Sequence, residues 1–199
     1  KRVFFNGEDI EGIIDFFKHG MSCLTNKNDR VLVLLPGDSF ASIGDLLKKA
    51  LALSVRSCIT QGMLRDVGET VSRILNHDIN CIVGLPTQIL HLARTNEEIF
   101  KNKIEKVLLC SDYAPQSIVN TLSNDYNCRV FIHYGMSEMG YGGGVLCGAL
   151  KGYHLREADL YFEIINPQTK ENLLDGEYGE IVFTTLNRYA MPLIRYRTN

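Results

Sequence analysis

At 199 residues, with 45% hydrophobic and 22% charged residues and a formal net charge of −2, the chain has the composition of a globular protein with a sizeable core. One large domain, or one domain with a small appendage, is expected. The charge balance argues against a general nucleic-acid surface, which needs clustered Lys and Arg, and the longest apolar runs, such as 31–35, are far too short to span a bilayer.

The first ten residues, KRVFFNGEDI, lack the apolar stretch and small-residue cleavage site of a secretory signal. DRVLVLLPG then gives a short β-branched run closed by Pro-Gly and predicts a buried strand. SFASIGDLLKKALALS carries helical spacing at Ile43, Leu46, Leu47 and Ala50. The alternation continues with strand VRSCIT, helix MLRDVGETVSRILNHD, strand NCIVG, helix PTQILHLART, strand KIEKVLLC, helix APQSIVNTLSNDY and strand CRVFIHY. Strands alternating with helices predict an α/β fold whose mostly parallel sheet is flanked by helices, with segments 31–35, 55–60, 80–83, 105–109 and 129–133 in one sheet.

Near Leu150 the pattern changes. DLYFEIINPQTKENLLDGEYGEIVFTTLN holds two strand-like runs with turn signals at Asn166-Pro167 and Asp175-Gly176, and no crossover helix fits between them. An antiparallel β segment is therefore expected from about residue 155. The chain divides into an α/β region over 1–150 and a β subdomain over 151–199. A start at Lys1 without Met, and an end at RYRTN straight after an apolar segment, read as the ends of a partial chain.

Six cysteines, at 23, 58, 81, 110, 128 and 147, form no CxxC pair, and several sit in apolar runs. Free thiols in a reducing compartment are the expectation, with cytoplasm as the location. Cys147 and His154 are candidate zinc ligands, with His133 or another cysteine as a third, against the plainer reading of packed residues. His19, His77 and His91 fall in or beside helical patterns and are expected to pack or face water.

The stretch YGMSEMGYGGG, 134–144, follows the strand CRVFIHY directly. Its glycines permit backbone angles closed to other residues, but no GxxxxGK[ST] or strand-anchored GxGxxG accompanies them. Ligands of open α/β sheets bind beyond the carboxyl ends of the strands, which sets a functional reading of this stretch above a plain turn. Glu138 is its only carboxylate and a candidate Mg²⁺ ligand. Ser137 is a phosphate donor or a turn cap, and the Tyr134 ring is suited to covering a base or packing at the sheet edge. Asp38-Ser39 reads as a helix cap or as a crevice lining, with capping preferred. Pro86 occupies a first-helical position beside Thr87. Arg195 and Arg197 alternate about Tyr196, set to neutralise phosphate or brace a carboxylate. Thr184 and Thr185 stand at a strand end, where they meet a ligand or simply favour the strand.

Together YGMSE (134–138), DGEYGEIVFTTL (175–186) and MPLIRYRT (191–198) resemble, in order and spacing, the motifs of the adenylate-forming acyl-CoA synthetases, most closely the phenylacetate–CoA ligase group. The resemblance implies part of the N-terminal region of such an enzyme, which activates a carboxylic acid with ATP as acyl-adenylate and then transfers it to CoA. It implies Mg²⁺ at Glu138, the α-phosphate at Ser137, the adenine near Tyr134, and nucleotide contacts along Gly135 and Met136. CSDYAP (110–115) stands where the family has its adenine loop, so Asp112 and Tyr113 take that place despite a poor match. Cys147 with GYH (152–154) resembles a cysteine-containing stretch of the phenylacetate-ligase group. The family's phosphate loop is expected to end just before Lys1, its ribose-binding aspartate to follow Asn199, and its lid lysine to lie further on. An aryl or arylalkyl carboxylate is the implied substrate, with Tyr141, Gly142 and the turn at Pro86 as its pocket. The partners are thus a small acid, ATP and CoA, without nucleic acid or membrane, and a homodimer is a candidate assembly. The competing reading is a nucleotide-binding or structural relative without ligase activity.

Overall fold

The computed structural model describes residues 2–198; Lys1 and Asn199, where the expected phosphate-loop junction and the approach to the ribose aspartate fall, lie outside the described residues. Alternation of side-chain direction along the first strand, β1 (Arg30–Val33), and its extension sends Val31, Val33 and Leu35 to one apolar cluster and Leu32 and Leu34 to another. The same alternation runs through β3 (Cys81–Gly84), β4 (Lys106–Leu109) and β5 (Arg129–Tyr134), so the sheet is buried on both faces, as parallel sheets are. With β2 (Ser57–Thr60) these strands form one parallel sheet in the order β2-β1-β3-β4-β5. All five strand segments expected from the sequence are present in it.

Two helices cover one face. Residues Ile13, Phe17 and Met21 of α1 (Gly7–Ser22) recur every four positions and pack there beside Leu46, Leu47 and Leu51 of α2 (Ile43–Leu51). The opposite face receives α3 (Val67–Asn76), α4 (Pro86–Thr95), α5 (Glu97–Lys103) and α6 (Gln116–Asn124), through residues such as Ile74, Ile89, Phe100 and Leu122. Neither α1 nor α5 was among the expected elements. The signal for α1 was nonetheless in the sequence: Asn6 accepts from the Asp9 N–H at 2.8 Å and Asp9 accepts from the Asn6 N–H at 2.9 Å, a reciprocal capping box.

The antiparallel part begins earlier than residue 155. After a tight reversal, β6 (Gly144–Leu146) pairs back on β5, and β7 (Tyr153–Leu155) pairs on β6, extending the first sheet to seven strands. A separate three-stranded antiparallel sheet follows, with β9 (Glu180–Thr185) between β8 (Leu160–Ile165) and β10 (Tyr196–Arg197). The Asn166-Pro167 turn works as its chemistry predicts: the Asn166 side-chain oxygen accepts from the N–H groups of Gln168 and Thr169. Among the described residues no helix is long and apolar enough to cross a membrane.

The cap expected at Asp38-Ser39 is not formed. The residue preceding α2 is Ser42, and the Asp45 carboxylate instead accepts from the Ala41 N–H at 3.0 Å. Asp38 lines a cleft with Pro36, Gln61 and Arg65, which is the crevice alternative.

Candidate functional site

A parallel sheet places the ends of successive strands along one edge. The loop after β3 with Pro86, the loop after β4 with Asp112 and Tyr113, and the loop after β5 with 135–143 therefore lie in spatial order at the carboxyl edge. Pro86 is buried as the first residue of α4, while Thr87 is exposed. Asp112 and Tyr113 are exposed, and the Asp112 carboxylate accepts from the Tyr113 N–H at 2.7 Å.

The loop after β5 is built by backbone closure. Its core is a single 3₁₀ turn, Ser137–Met139, entered from extended Met136 and left through Gly140 at φ +70°. Tyr141 also takes a left-handed φ of +64° and donates its N–H to the Met136 carbonyl at 3.0 Å. For an aromatic residue that conformation is strained, and strain of this kind collects at functional sites. Gly135 is needed because a Cβ there would stand 2.5 Å from the Tyr141 carbonyl oxygen. Gly142 has a different reason. The Phe16 ring of α1 fills the space beside it, and a Cβ would lie 2.0 Å from Phe16 Cε1.

This turn leaves Ser137 exposed and Glu138 half-buried. The Tyr196 hydroxyl of β10 donates to Glu138 Oε1 at 2.9 Å, so the second sheet holds the carboxylate from the far side. Tyr134 and Met136 pack against Met139, Leu160 and Phe183 at the junction of the two sheets. Burial pushes the Tyr134 hydroxyl above its ordinary range, opposed by a hydrogen bond with Thr198. Tyr141 packs on the α1 side, its ring 5.6 Å from that of Phe5.

Arg188 gave no signal in the sequence. From the loop between β9 and β10 it donates one guanidinium nitrogen to the Glu138 carbonyl and another to the Phe4 carbonyl at 3.3 Å. It also stacks 4.4 Å from the centre of the Phe5 ring. Burial lowers its pKa from the usual guanidinium value, with Asp9 and Glu138 opposing that shift. A cavity of about 260 Å³ opens beside it. Of the other charged groups in that cavity, Arg156 pairs with Asp159 at 2.6 Å, Asp9 caps α1, and Glu8 is exposed.

Arg195 and Arg197 brace carboxylates, the first paired with Glu163 at 3.2 Å and the second with Glu180. Thr184 accepts from the Arg195 N–H and Thr185 from the Leu193 N–H, both at 2.9 Å, so both hydroxyls hold the loop leading into β10.

The zinc alternative at Cys147 and His154 finds no support. The Cys147 thiol donates to the Lys151 carbonyl at 2.8 Å within the β6–β7 turn, and His154 is exposed on β7. Among the described residues no group of three or more His, Cys, Asp and Glu is placed to hold a metal. His133 lies under the Gly135 loop instead, where burial lowers its pKa to about 4. His19, His77 and His91 face solvent. All six cysteines are free, and burial pushes the Cys110 thiol up to about 12.

No protein-family profile matches the chain. It is 49% identical over 134 residues to a phenylacetate-coenzyme A ligase of Pseudomonas putida, a match covering 64% of this chain and 30% of that protein. A second phenylacetate-coenzyme A ligase, from Escherichia coli K12, is 48% identical over 68 residues, 33% of this chain and 15% of the relative. The chain thus spans less than a third of these relatives' length. Among solved structures, an open conformation of 2-hydroxyisobutyryl-CoA ligase in complex with 2-HIB-AMP and CoA is similar over 98% of this chain and 44% of its own, with a TM-score of 0.83 at 18% identity. The o-succinylbenzoate CoA synthetase of Bacillus subtilis in complex with AMP is similar over 89% of this chain and 37% of its own, with a TM-score of 0.64 at 20% identity. The parallel sheet, the loop after β5 and the antiparallel sheet beyond it therefore have the fold of the adenylate-forming acyl-CoA synthetases.

Proposed function

We propose that the protein carrying this chain is an ATP-dependent carboxylate–CoA ligase acting on an aryl or arylalkyl acid. The observation that carries this reading is the Ser137–Glu138 turn at the carboxyl end of β5, in a chain 49% identical over 134 residues to a phenylacetate-coenzyme A ligase. In the first step an oxygen of the acid bonds to the α-phosphorus of ATP as the bond to pyrophosphate breaks. In the second the CoA thiol attacks the acyl carbon and AMP leaves.

Acid and triphosphate repel each other, so the first step needs opposing positive charge and fixed donors. A bound Mg²⁺ supplies such charge, and this ion commonly takes one or two protein carboxylates beside phosphate oxygens and water. Glu138, oriented by Tyr196, fits that part with a hard anionic oxygen at the mouth of the sheet. Ser137, exposed beside it, donates to the α-phosphate. Tyr134 and the Asp112–Tyr113 loop flank the adenine, and Gly135 and Met136 follow the nucleotide with their backbone. Tyr141, Gly142 and the turn at Pro86 border the acid. In this reading residues 1–150 bind nucleotide and acid, and 151–199 form a β subdomain that braces them.

The test is Glu138→Gln in the full-length protein, which keeps size and removes the anionic charge. Carboxylate-dependent exchange of pyrophosphate into ATP should fall by about two to three powers of ten, the effect of losing roughly 2–4 kcal/mol of transition-state stabilisation. Wild-type exchange rates across limiting Mg²⁺ would remove Glu138 from this role.

A further inference from the structure

Resting on the ligase reading above, this inference concerns the floor beneath the loop after β5. Along that strand Val130 enters one apolar cluster and Phe131 the other, so the alternation turns His133 to the side of Phe131, under α1 and α2. Its Cε1 lies 2.9 Å from where a Cβ on Gly135 would stand, which sets the imidazole against the loop backbone. The Phe16 ring, which fills the space beside Gly142, is centred 6.5 Å from the imidazole.

A cavity of about 30 Å³ adjoins these groups, walled by Phe16, Phe17, Leu47, Val145, Cys110 and His133 among others. Every other wall side chain is hydrocarbon or sulfur. The residue keeps partial exposure, yet its Nε2 is closed off from solvent and finds no hydrogen-bond partner among the described residues. Buried polar atoms are paired as a rule, and each exception calls for an explanation. Burial also keeps this imidazole uncharged at neutral pH. A neutral imidazole presents one N–H donor and one acceptor, and a hydroxyl can answer either.

Size narrows the occupant. A polar cavity needs roughly 10–15 Å³ to take one water, whereas a cavity that binds benzene is about 150 Å³. The space beside His133 therefore suits a hydroxyl and not a ring. The four steps from His133 to Ser137 span at most about 14 Å of chain, within reach of an acid whose carboxylate lies at the loop and whose far end lies below it.

We propose that His133 is a specificity-determining residue at the far end of the acyl site, and that the substrate is an aryl or arylalkyl acid carrying a hydroxyl remote from its carboxylate. The ring packs along Phe16 and the hydroxyl enters the small cavity. An acid without the hydroxyl brings no partner to Nε2, and a site built to hydrogen-bond a substrate hydroxyl rejects the analogue lacking it.

The experiment measures carboxylate-dependent pyrophosphate exchange by the full-length protein with phenylacetate and its 2-, 3- and 4-hydroxy derivatives. One hydroxylated isomer should exceed phenylacetate by about tenfold or more in kcat/KM. His133→Leu should erase that preference while leaving phenylacetate at least as good a substrate, and His133→Gln should restore part of it. Leu removes an unpaired polar atom from apolar surroundings, so the variant is expected to fold, which its melting temperature checks. If no hydroxylated isomer exceeds phenylacetate, or if the preference survives in His133→Leu, the proposal is overturned while the ligase reading stands. Exchange with no acid of any kind would remove both.

Discussion

At the amino ends of the parallel strands, Lys106 donates to both carboxylate oxygens of Asp29 at 2.9 and 2.8 Å. Asn80 donates to Asp29 at 2.9 Å and accepts from the Arg30 N–H, while the Asn26 N–H donates to Asp29 at 2.6 Å. Burial alone would raise the Asp29 carboxyl, but these partners together hold it below the ordinary range. At the carboxyl ends the bonding is incomplete. Among the described residues, three buried side-chain atoms lack a partner: Gln61 Oε1 just beyond β2, His133 Nε2 near the end of β5, and Arg188 Nε in the side chain that holds the Glu138 backbone. One end of the sheet is saturated and the other keeps polar capacity in reserve. A scaffold has every reason to satisfy its buried groups, whereas a binding edge leaves some for the ligand to meet.

The largest effect expected from breaking this contrast is at the saturated end. Lys106→Met strands the buried Asp29 carboxylate and should cost about 3–5 kcal/mol of stability, read by denaturant unfolding. Exchange activity per folded molecule should not change, because the pair lies at the opposite end of the strands from Glu138. A loss below about 1 kcal/mol would place this pair with ordinary surface salt bridges.

Acid tests the other end of the sheet at His133. The unfolded chain protonates this imidazole below its ordinary pKa of 6.5, while burial holds the folded form neutral down to about 4. Protons therefore favour unfolding in that window. Stability is lost as pH falls from 6.5 to about 4 and not further below. The gap corresponds to at most about 3 kcal/mol. The His133→Leu variant removes this component, so the difference between the two proteins' pH–stability curves isolates it. Parallel curves would show that His133 charges freely in the fold.

The smallest effect sharpens the site end. Tyr196→Phe removes only the hydroxyl that donates to Glu138. It should slow pyrophosphate exchange by about fivefold, equivalent to roughly 1 kcal/mol for a single hydrogen bond, and leave the melting temperature nearly unchanged. An unaltered rate would mean that Glu138 is oriented without its partner from the second sheet.

The parallel strands were legible because their alternation is local: Val31, Val33 and Leu35 differ in destination from Leu32 and Leu34 in a pattern two residues long. Pro86 at the head of α4 and the Asn166 turn are equally local, and both formed as their chemistry predicts. Helix α1 was legible and overlooked, since its capping box and its apolar face need no distant partner. Two readings were overtaken by equally short-range competitors. The Cys147 thiol found a backbone carbonyl across its own turn, and Asp38 lost its capping role to a helix that starts five residues later.

What the sequence determined by itself was therefore the type and order of the elements and the placing of Ser137 and Glu138 at a strand end. Helix and strand periods, caps and turn residues act over a few positions, and folding cannot easily override all of them together. Tertiary structure alone decided what surrounds those two residues. Arg188 meets Glu138 across 50 residues and Phe4 across 184, and Tyr196 meets Glu138 across 58. Phe16 reaches Gly142 from a helix at the other end of the chain. These contacts follow from strand order and from how α1 and the second sheet close on the loop, and no pattern within any one segment encodes them.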